Sequence, residues 1–244
     1  MKSTRLLHPE QVRLQRFGVA ENRRFYLVNE AGRLLNASRH GPLIALRSFY
    51  DQATDRLEIV FPDGKVVADT VVTAGPVAET IFWGRPVAGR VVTGVWEAAL
   101  TEYAGQPVRL IRAERPGDGV DSHAASLVST ASLEELARSA GAEHVDGRRF
   151  RMMFEIDGVA PHEEDTWIGR DVRIGDAVIR VIRPDPRCVI TTKNPDTGVP
   201  DFATLKQVAR YRGLRDGKHV DFGMYADVVE PGTVRLGDPV ELRP

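Results

Sequence analysis

The sequence is poor in residues that staple, charge or anchor a chain. Its 244 residues include one cysteine, so no internal disulfide can form. A four-thiolate iron–sulfur cluster and a multi-cysteine zinc site are excluded for the same reason, and the usage fits a reducing compartment. Lys and Arg number 33 against 34 Asp and Glu, a net charge of −1. That balance offers no basic field for nucleic acid and no acidic tail. No apolar run approaches a membrane span, and Met1-Lys2-Ser3-Thr4-Arg5 opens no apolar signal core. The expectation is a cytoplasmic protein that contacts neither membrane nor nucleic acid. Walker loop, dinucleotide fingerprint and Gly-x-Ser-x-Gly elbow are all missing. A fixed-period repeat and a low-complexity tract are missing too. What is present describes an ordinary globular chain: 42% hydrophobic and 27% charged residues, with length for a sizeable core in one large or two small domains.

The patterning predicts a mainly β protein. Phe25-Tyr26-Leu27-Val28 and Arg33-Leu34-Leu35 flank a turn at 29–32. A strand follows at 43–49, then 56–61, which stops at Pro62-Asp63-Gly64 and resumes over 65–72. Short strands with turns at this rhythm suggest a small barrel or sandwich. The segment 75–83 reads as a short helix, 87–93 as a strand with Gly89 at a bulge, and 108–112 as a strand. Trp96, Leu100 and Tyr103 sit at helical spacing and read as core. Pro and Gly within 114–119 mark a linker, dividing the chain into 1–115 and 116–244. Beyond it come strands at 125–129, 148–156 and 172–182, the last a hairpin turning at Gly175-Asp176. Ser132 and Glu135 read as a capping box opening a helix. A helix at 202–211 precedes closing strands at 221–229 and 233–242.

The lone cysteine, Cys188, sits in Arg183-Pro184-Asp185-Pro186-Arg187-Cys188-Val189-Ile190-Thr191-Thr192-Lys193-Asn194-Pro195-Asp196-Thr197-Gly198. The prolines stiffen its approach. The β-branched run 189–192 reads as a strand, and 194–198 as a turn with Gly198 at the positive-φ position. Arg183 and Arg187 would favour a thiolate. Such a sulfur could be a nucleophile, a soft-metal ligand or a sulfur carrier; the plainer alternative is a small buried hydrophobe. A Cys–His hydrolase would need His123 or His219 beside it. His162-Glu163-Glu164-Asp165 reads as a solvated acidic loop rather than a metal site.

Arg-Cys, two hydrophobics, Thr-Thr and Pro-Asp-Thr-Gly over 187–198 resembles the signature of the MOSC domain. That is the C-terminal domain of molybdenum cofactor sulfurases, found also in mitochondrial amidoxime-reducing components. Residues 174–178 resemble the strand before the cysteine, and 231–240 the closing hairpin. Residues 22–28 resemble the start of the β-barrel that accompanies the domain in these reductases. The resemblance implies an N-terminal β-barrel followed by a MOSC β-barrel. It implies a bound molybdenum cofactor (molybdopterin), with Cys188 as catalytic residue and metal ligand. Lys2, Ser3, Arg24, Arg151, Arg187, Thr191 and Thr192 would lie around the cofactor. Guanidinium groups suit its terminal phosphate. The implied activity is reduction of N-hydroxylated small molecules. Electrons would come from a separate donor protein, ferredoxin-like or a b-type cytochrome with its reductase. The alternatives are a carrier of the cofactor or of a persulfide, and a binding module without the cofactor. Three departures from the pattern stand out. The family strand before Lys2-Ser3 has no counterpart here, which predicts a loosely held terminus. Met152 and Met153 replace Pro and Asn after Phe150-Arg151. No ferredoxin domain follows.

Overall fold

The computed structural model describes residues 1–243. They form two compact units. The first comprises Met1–Leu7, Ala20–Asp121 and Asp196–Val199; the second comprises His8–Val19, Ser122–Pro195 and the chain from Pro200 onward. The fold is mainly β, with three α-helices among the described residues.

In the first unit an antiparallel five-stranded sheet runs in the order Leu34–Leu35, Phe25–Asn29, Val108–Ala113, Arg85–Thr93, Val72–Phe82. A separate meander pairs Arg47–Asp51, Arg56–Val60 and Val66–Thr70. Tyr26, Val28, Phe82, Val87, Ile111 and Ala113 form one packed cluster. Each large side chain so buried contributes about 1.5–3 kcal/mol. The helix Trp96–Ala104 buries Trp96 and Leu100, as their spacing predicts, and ends at Gly105 in the left-handed region.

Two expectations fail in this unit. The segment 75–83 is not helical; it lies within the strand Val72–Phe82. Thr80 and Phe82 are buried while Ile81 between them is exposed, the period-two pattern that a sheet face imposes. The segment 43–49 is a 3-10 turn, Gly41–Ala45, followed by the strand Arg47–Asp51. Pro42 in its first turn fixes φ, and Leu43 and Ile44 are both buried, which a strand could not achieve on one face. Gly89 does face an irregularity: the register of Val72–Phe82 shifts between Ala74 and Ala78, opposite it.

In the second unit a six-stranded sheet runs Phe154–Ile156, Ala125–Ser129, Asp221–Glu230, Ala177–Pro186, Asp171–Ile174, Val240–Leu242. A smaller sheet joins Gly232–Arg235, Gln11–Gln15 and Gly18–Val19. The core is built by residues such as Leu127, Val172, Ile179, Val181 and Met224. A second cluster gathers Phe150, Val208 and Phe222 under the helices Thr130–Ala140 and Thr204–Arg212.

Four expectations are corrected here. The first helix is capped by Ser129, whose Oγ accepts from Ser132 N at 3.1 Å, so Ser132 lies inside the helix. The segment 148–156 is a 3-10 turn, Gly147–Phe150, and a short strand, Phe154–Ile156. Arg151 between them has φ 55° and breaks the strand. The run 189–192 is a 3-10 turn, because Thr191 Oγ1 donates to Cys188 O and Thr192 Oγ1 to Val189 O. The loop 162–165 is not wholly solvated. Glu164 is 0% exposed and accepts from Ser129 N, Ser129 Oγ and Ser132 Oγ.

Candidate functional site

The strand Ala177–Pro186 delivers the chain to Cys188, and Arg187 N donates to Val220 O at 2.7 Å to extend the pairing by one residue. Cys188 then caps the 3-10 turn Val189–Thr192. Its side chain is exposed, so it is not a buried hydrophobe. Among the described residues no three of His, Cys, Asp and Glu come together as a metal site. A metal held here would have Cys188 as its one protein thiolate.

The turn is fastened from several sides. Thr204 Oγ1 donates to Thr191 O at 2.7 Å, and Thr191 is fully buried. Arg149 donates to Lys193 O at 3.0 Å and makes a two-pronged pair with Asp201 at 2.6 and 2.9 Å. Asn194 Nδ2 donates to Asp201 at 2.8 Å. Burial pushes the Lys193 amine below its usual range. Gly198 has φ 73°, as the turn chemistry requires, and packs so closely on Gly41 that a Cβ would meet its carbonyl at 1.9 Å.

The two flanking arginines are engaged. Arg187 donates to the Asp185 carboxylate and to Phe150 O, and its guanidinium carbon lies 5.5 Å from the Phe150 ring. Arg183 donates to His123 Nε2 at 3.2 Å and Ser122 Oγ at 2.9 Å, and lies 4.8 Å from the Tyr225 ring. His123 Nδ1 faces Asp227 at 2.9 Å. Both ring nitrogens of His123 therefore have partners other than Cys188, and His123 is not assembled into a Cys–His pair. Arg151 follows Phe150 directly, at the end of the 3-10 turn that Arg187 grips. The replacements beside it also have places: Met152 Sδ lies 3.7 Å from Arg187, and Met153 N donates to Ser126 Oγ at 3.1 Å.

Lys2, Ser3 and Arg24 belong to the first unit. The terminus is tied down, contrary to expectation: Lys2 N donates to Phe25 O at 2.7 Å and its side chain is 5% exposed. Lys2 Nζ binds Asp121 at 2.6 Å and Gly119 O at 3.0 Å, 4.9 Å from the Phe82 ring. Burial pushes the Asp121 carboxyl up. Arg23, Lys2 and Trp83 more than offset this and hold it well below the usual carboxylate range. Ser3 has φ 70° and its Oγ accepts from Ala37 N at 3.1 Å. Arg24 differs: its Nη1 is buried with no partner, and Nη2 reaches only Glu114 O at 3.5 Å. Burial and the neighbouring Arg112 lower its pKa. Ser3, Arg23 and Arg151 are three of the seven non-glycine residues with positive φ among the described residues. Each such residue costs about 1–3 kcal/mol, and such strain clusters at functional sites.

A family model described as the MOSC domain matches residues 114–241, which is 128 of 244 residues. The chain belongs to the MOSC domain family. Its similarity to other proteins extends beyond that domain. It is 27% identical to mitochondrial amidoxime-reducing component 1 of Mus musculus over 93% of this chain and 74% of that protein. Identity and coverage are the same for the Homo sapiens protein of that name. Mitochondrial amidoxime reducing component 2 of Rattus norvegicus is 36% identical over 47% of this chain and 35% of its own length. No helix among the described residues is long and apolar enough to cross a membrane.

Two of the residues singled out in this MOSC chain have the chemistry to meet a molybdenum cofactor directly. Cys188 presents an exposed soft donor, and Arg24 holds a guanidinium nitrogen that lacks an acceptor. Lys2, Ser3, Thr191 and Thr192 direct polar atoms to partners within the protein, and Arg187 does so with both terminal nitrogens, its Nε alone lacking an acceptor. Asp185 and Asp121 escaped the sequence reading. Neither had a signal: the strand that carries Asp185 ends at Pro186, with a register shift between Pro184 and Pro186, so no alternation of faces links Asp185 to Arg187.

Proposed function

We propose that the protein is a molybdenum-cofactor-dependent oxidoreductase that reduces N-hydroxylated compounds with electrons from a separate protein. The observation that carries this reading is the exposed Cys188 on a fastened turn, in a chain similar along most of its length to amidoxime-reducing components. Cys188 would ligate the metal and Arg24 would take the terminal phosphate, with Arg151 beside the pterin. When bound, the cofactor would supply two-electron redox chemistry; reduction of an N–OH group takes two electrons from the donor protein and two protons, and releases the oxygen as water. The protein's part is to hold the thiolate in one geometry and to neutralise the phosphate. The domain division at 115 and a cytoplasmic setting belong to the same proposal.

The test is Cys188→Ser in protein from a host that makes the cofactor. Serine is nearly isosteric but a hard donor. The variant should keep the parent's circular dichroism and lose turnover of a hydroxylamine. A parent without molybdenum after reconstitution, or a Ser variant as active as the parent, overturns the reading. Exposure of the thiol also suits persulfide transfer. A parent that reduces nothing yet accepts sulfur on Cys188 from a desulfurase would establish the carrier instead.

A further inference from the structure

We propose that Asp185 and Arg187 form a positioning clamp for the Cys188 thiol, so that Arg187 orients the metal ligand rather than contacting the cofactor. The inference deepens the reading of Cys188 as the ligand. It begins where the strand Ala177–Pro186 ends. Asp185 and Arg187, two residues apart across Pro186, meet in an ion pair. The Asp185 and Arg187 side chains are 6% and 7% exposed, whereas Cys188 is exposed.

Arg187 is held at three points. Its backbone N–H donates to Val220 O at 2.7 Å. One terminal nitrogen is paired with Asp185 and the other donates to Phe150 O. Its Nε is buried without a partner, so no nitrogen of this guanidinium is left facing outward with its bonding unmet. The Phe150 ring beneath it stacks on Phe222 at 4.3 Å, anchoring the grip in the core. Pro186, between the paired residues, fixes φ there. The clamp thus joins the residue before Cys188 to the residue before Arg151. A buried guanidinium without its carboxylate is strongly unfavourable, which explains an aspartate between two prolines.

The clamp and a direct cofactor contact make opposite forecasts for three variants: Asp185→Asn, Arg187→Lys, and the apolar double Asp185→Leu/Arg187→Met. The double removes both charges, a replacement that buried ion pairs often tolerate without loss of stability, so it serves if either single variant fails to fold. Cys188 is the only cysteine, so a nitroxide label on the full cofactor-free chain reports its surroundings alone. With a clamp, the parent's label gives a slow-motion spectrum and all folded variants a fast one. Arg187→Lys fails like the others, because an ammonium lacks the fork that spans Asp185 and Phe150 O. In loaded protein, molybdenum content stays near the parent's while kcat falls on the order of 100-fold at little-changed KM, the signature of a misplaced group. The proposal is overturned if the label stays slow in the variants. It is also overturned if Arg187→Lys or the double sheds molybdenum while Asp185→Asn does not, for then Arg187 holds the cofactor itself. The label arm needs no turnover, so failure of the reductase reading leaves the clamp decided.

Discussion

Asp121 accepts from Lys2, Arg23 and the Trp83 indole at 2.6, 3.0 and 2.8 Å. It draws the terminus and the tip of the long hairpin onto one carboxylate. Trp83 has φ 50° and is 64% exposed, so burial does not offset its backbone strain; the bond to Asp121 does part of that. Asp121→Asn keeps the shape and loses the charge. Because Asp121 is about one-third exposed, the loss should sit near the lower end for charged hydrogen bonds, about 1–2 kcal/mol in urea unfolding. The sign with pH follows from the lowered carboxyl pKa. The contribution is whole above the ordinary carboxylate range and is lost as pH falls below it. Asp121→Asn should therefore flatten the acid limb of the parent's stability curve; an unchanged limb would place the acid sensitivity elsewhere. Arg24 is the contrasting residue, with a cation that the fold leaves partly unmet. Arg24→Ala should leave thermal stability close to the parent's and weaken cofactor retention by about 1.5–3 kcal/mol, measured as molybdenum lost on gel filtration.

Elements meet where single atoms decide the spacing. At Gly89 in the strand Arg85–Thr93, a Cβ would lie 2.5 Å from Ile111 Cγ2 and 2.7 Å from the Tyr26 hydroxyl. Two sheet neighbours would have to move, so Gly89→Ala should destabilise by about 1–3 kcal/mol, read from the urea midpoint. In the second unit the helix Thr204–Arg212 is tied to the turn Glu163–Trp167 through His162. His162 Nε2 faces the Tyr211 hydroxyl at 3.1 Å, Nδ1 accepts from Arg212, and Arg212 pairs with Asp165. Burial and Arg212 lower the His162 pKa, against smaller opposing pulls from Asp165 and Glu164. The folded state thus favours the neutral ring. Its contribution is present above the unfolded pKa, about 6.5, and is lost as pH falls below that. Urea midpoints taken from about pH 7 down to pH 5 should fall more steeply for the parent than for His162→Gln; equal slopes would exclude His162 as the cause. The same contacts push the Tyr211 phenol up to about 12, burial being the main cause.

At the scale of the whole molecule, the proposed chemistry implies dependence on a partner. Cofactor-loaded protein should turn over a hydroxylamine only when an electron-donor protein is added. Turnover with reduced nicotinamide as the sole reductant and no protein donor would keep the reductase and discard the partner, whereas turnover with dithionite, which replaces any donor, would leave the partner in place. The sequence by itself determined the β class, the hairpins at 29–32 and 62–64, the helices at Trp96–Ala104 and Thr204–Arg212, and the Cys188 motif. Each of these depends on local terms: turn residues, period and a short unbroken signature. Tertiary structure decided what local terms leave balanced. It made 75–83 a strand, because Thr80 and Phe82 found a core and Arg85–Thr93 supplied a ladder. It turned 189–192 into a 3-10 turn, because two threonine hydroxyls bonded back to the chain. It ordered the terminus through Phe25 and Asp121, and buried Glu164 where charge alone predicted solvent. It also decided which cations are engaged. Arginines read alike in a sequence, and only the acceptors met in the folded chain distinguish Arg187, whose two terminal nitrogens reach Asp185 and Phe150 O, from Arg24, which has a terminal nitrogen buried without a partner.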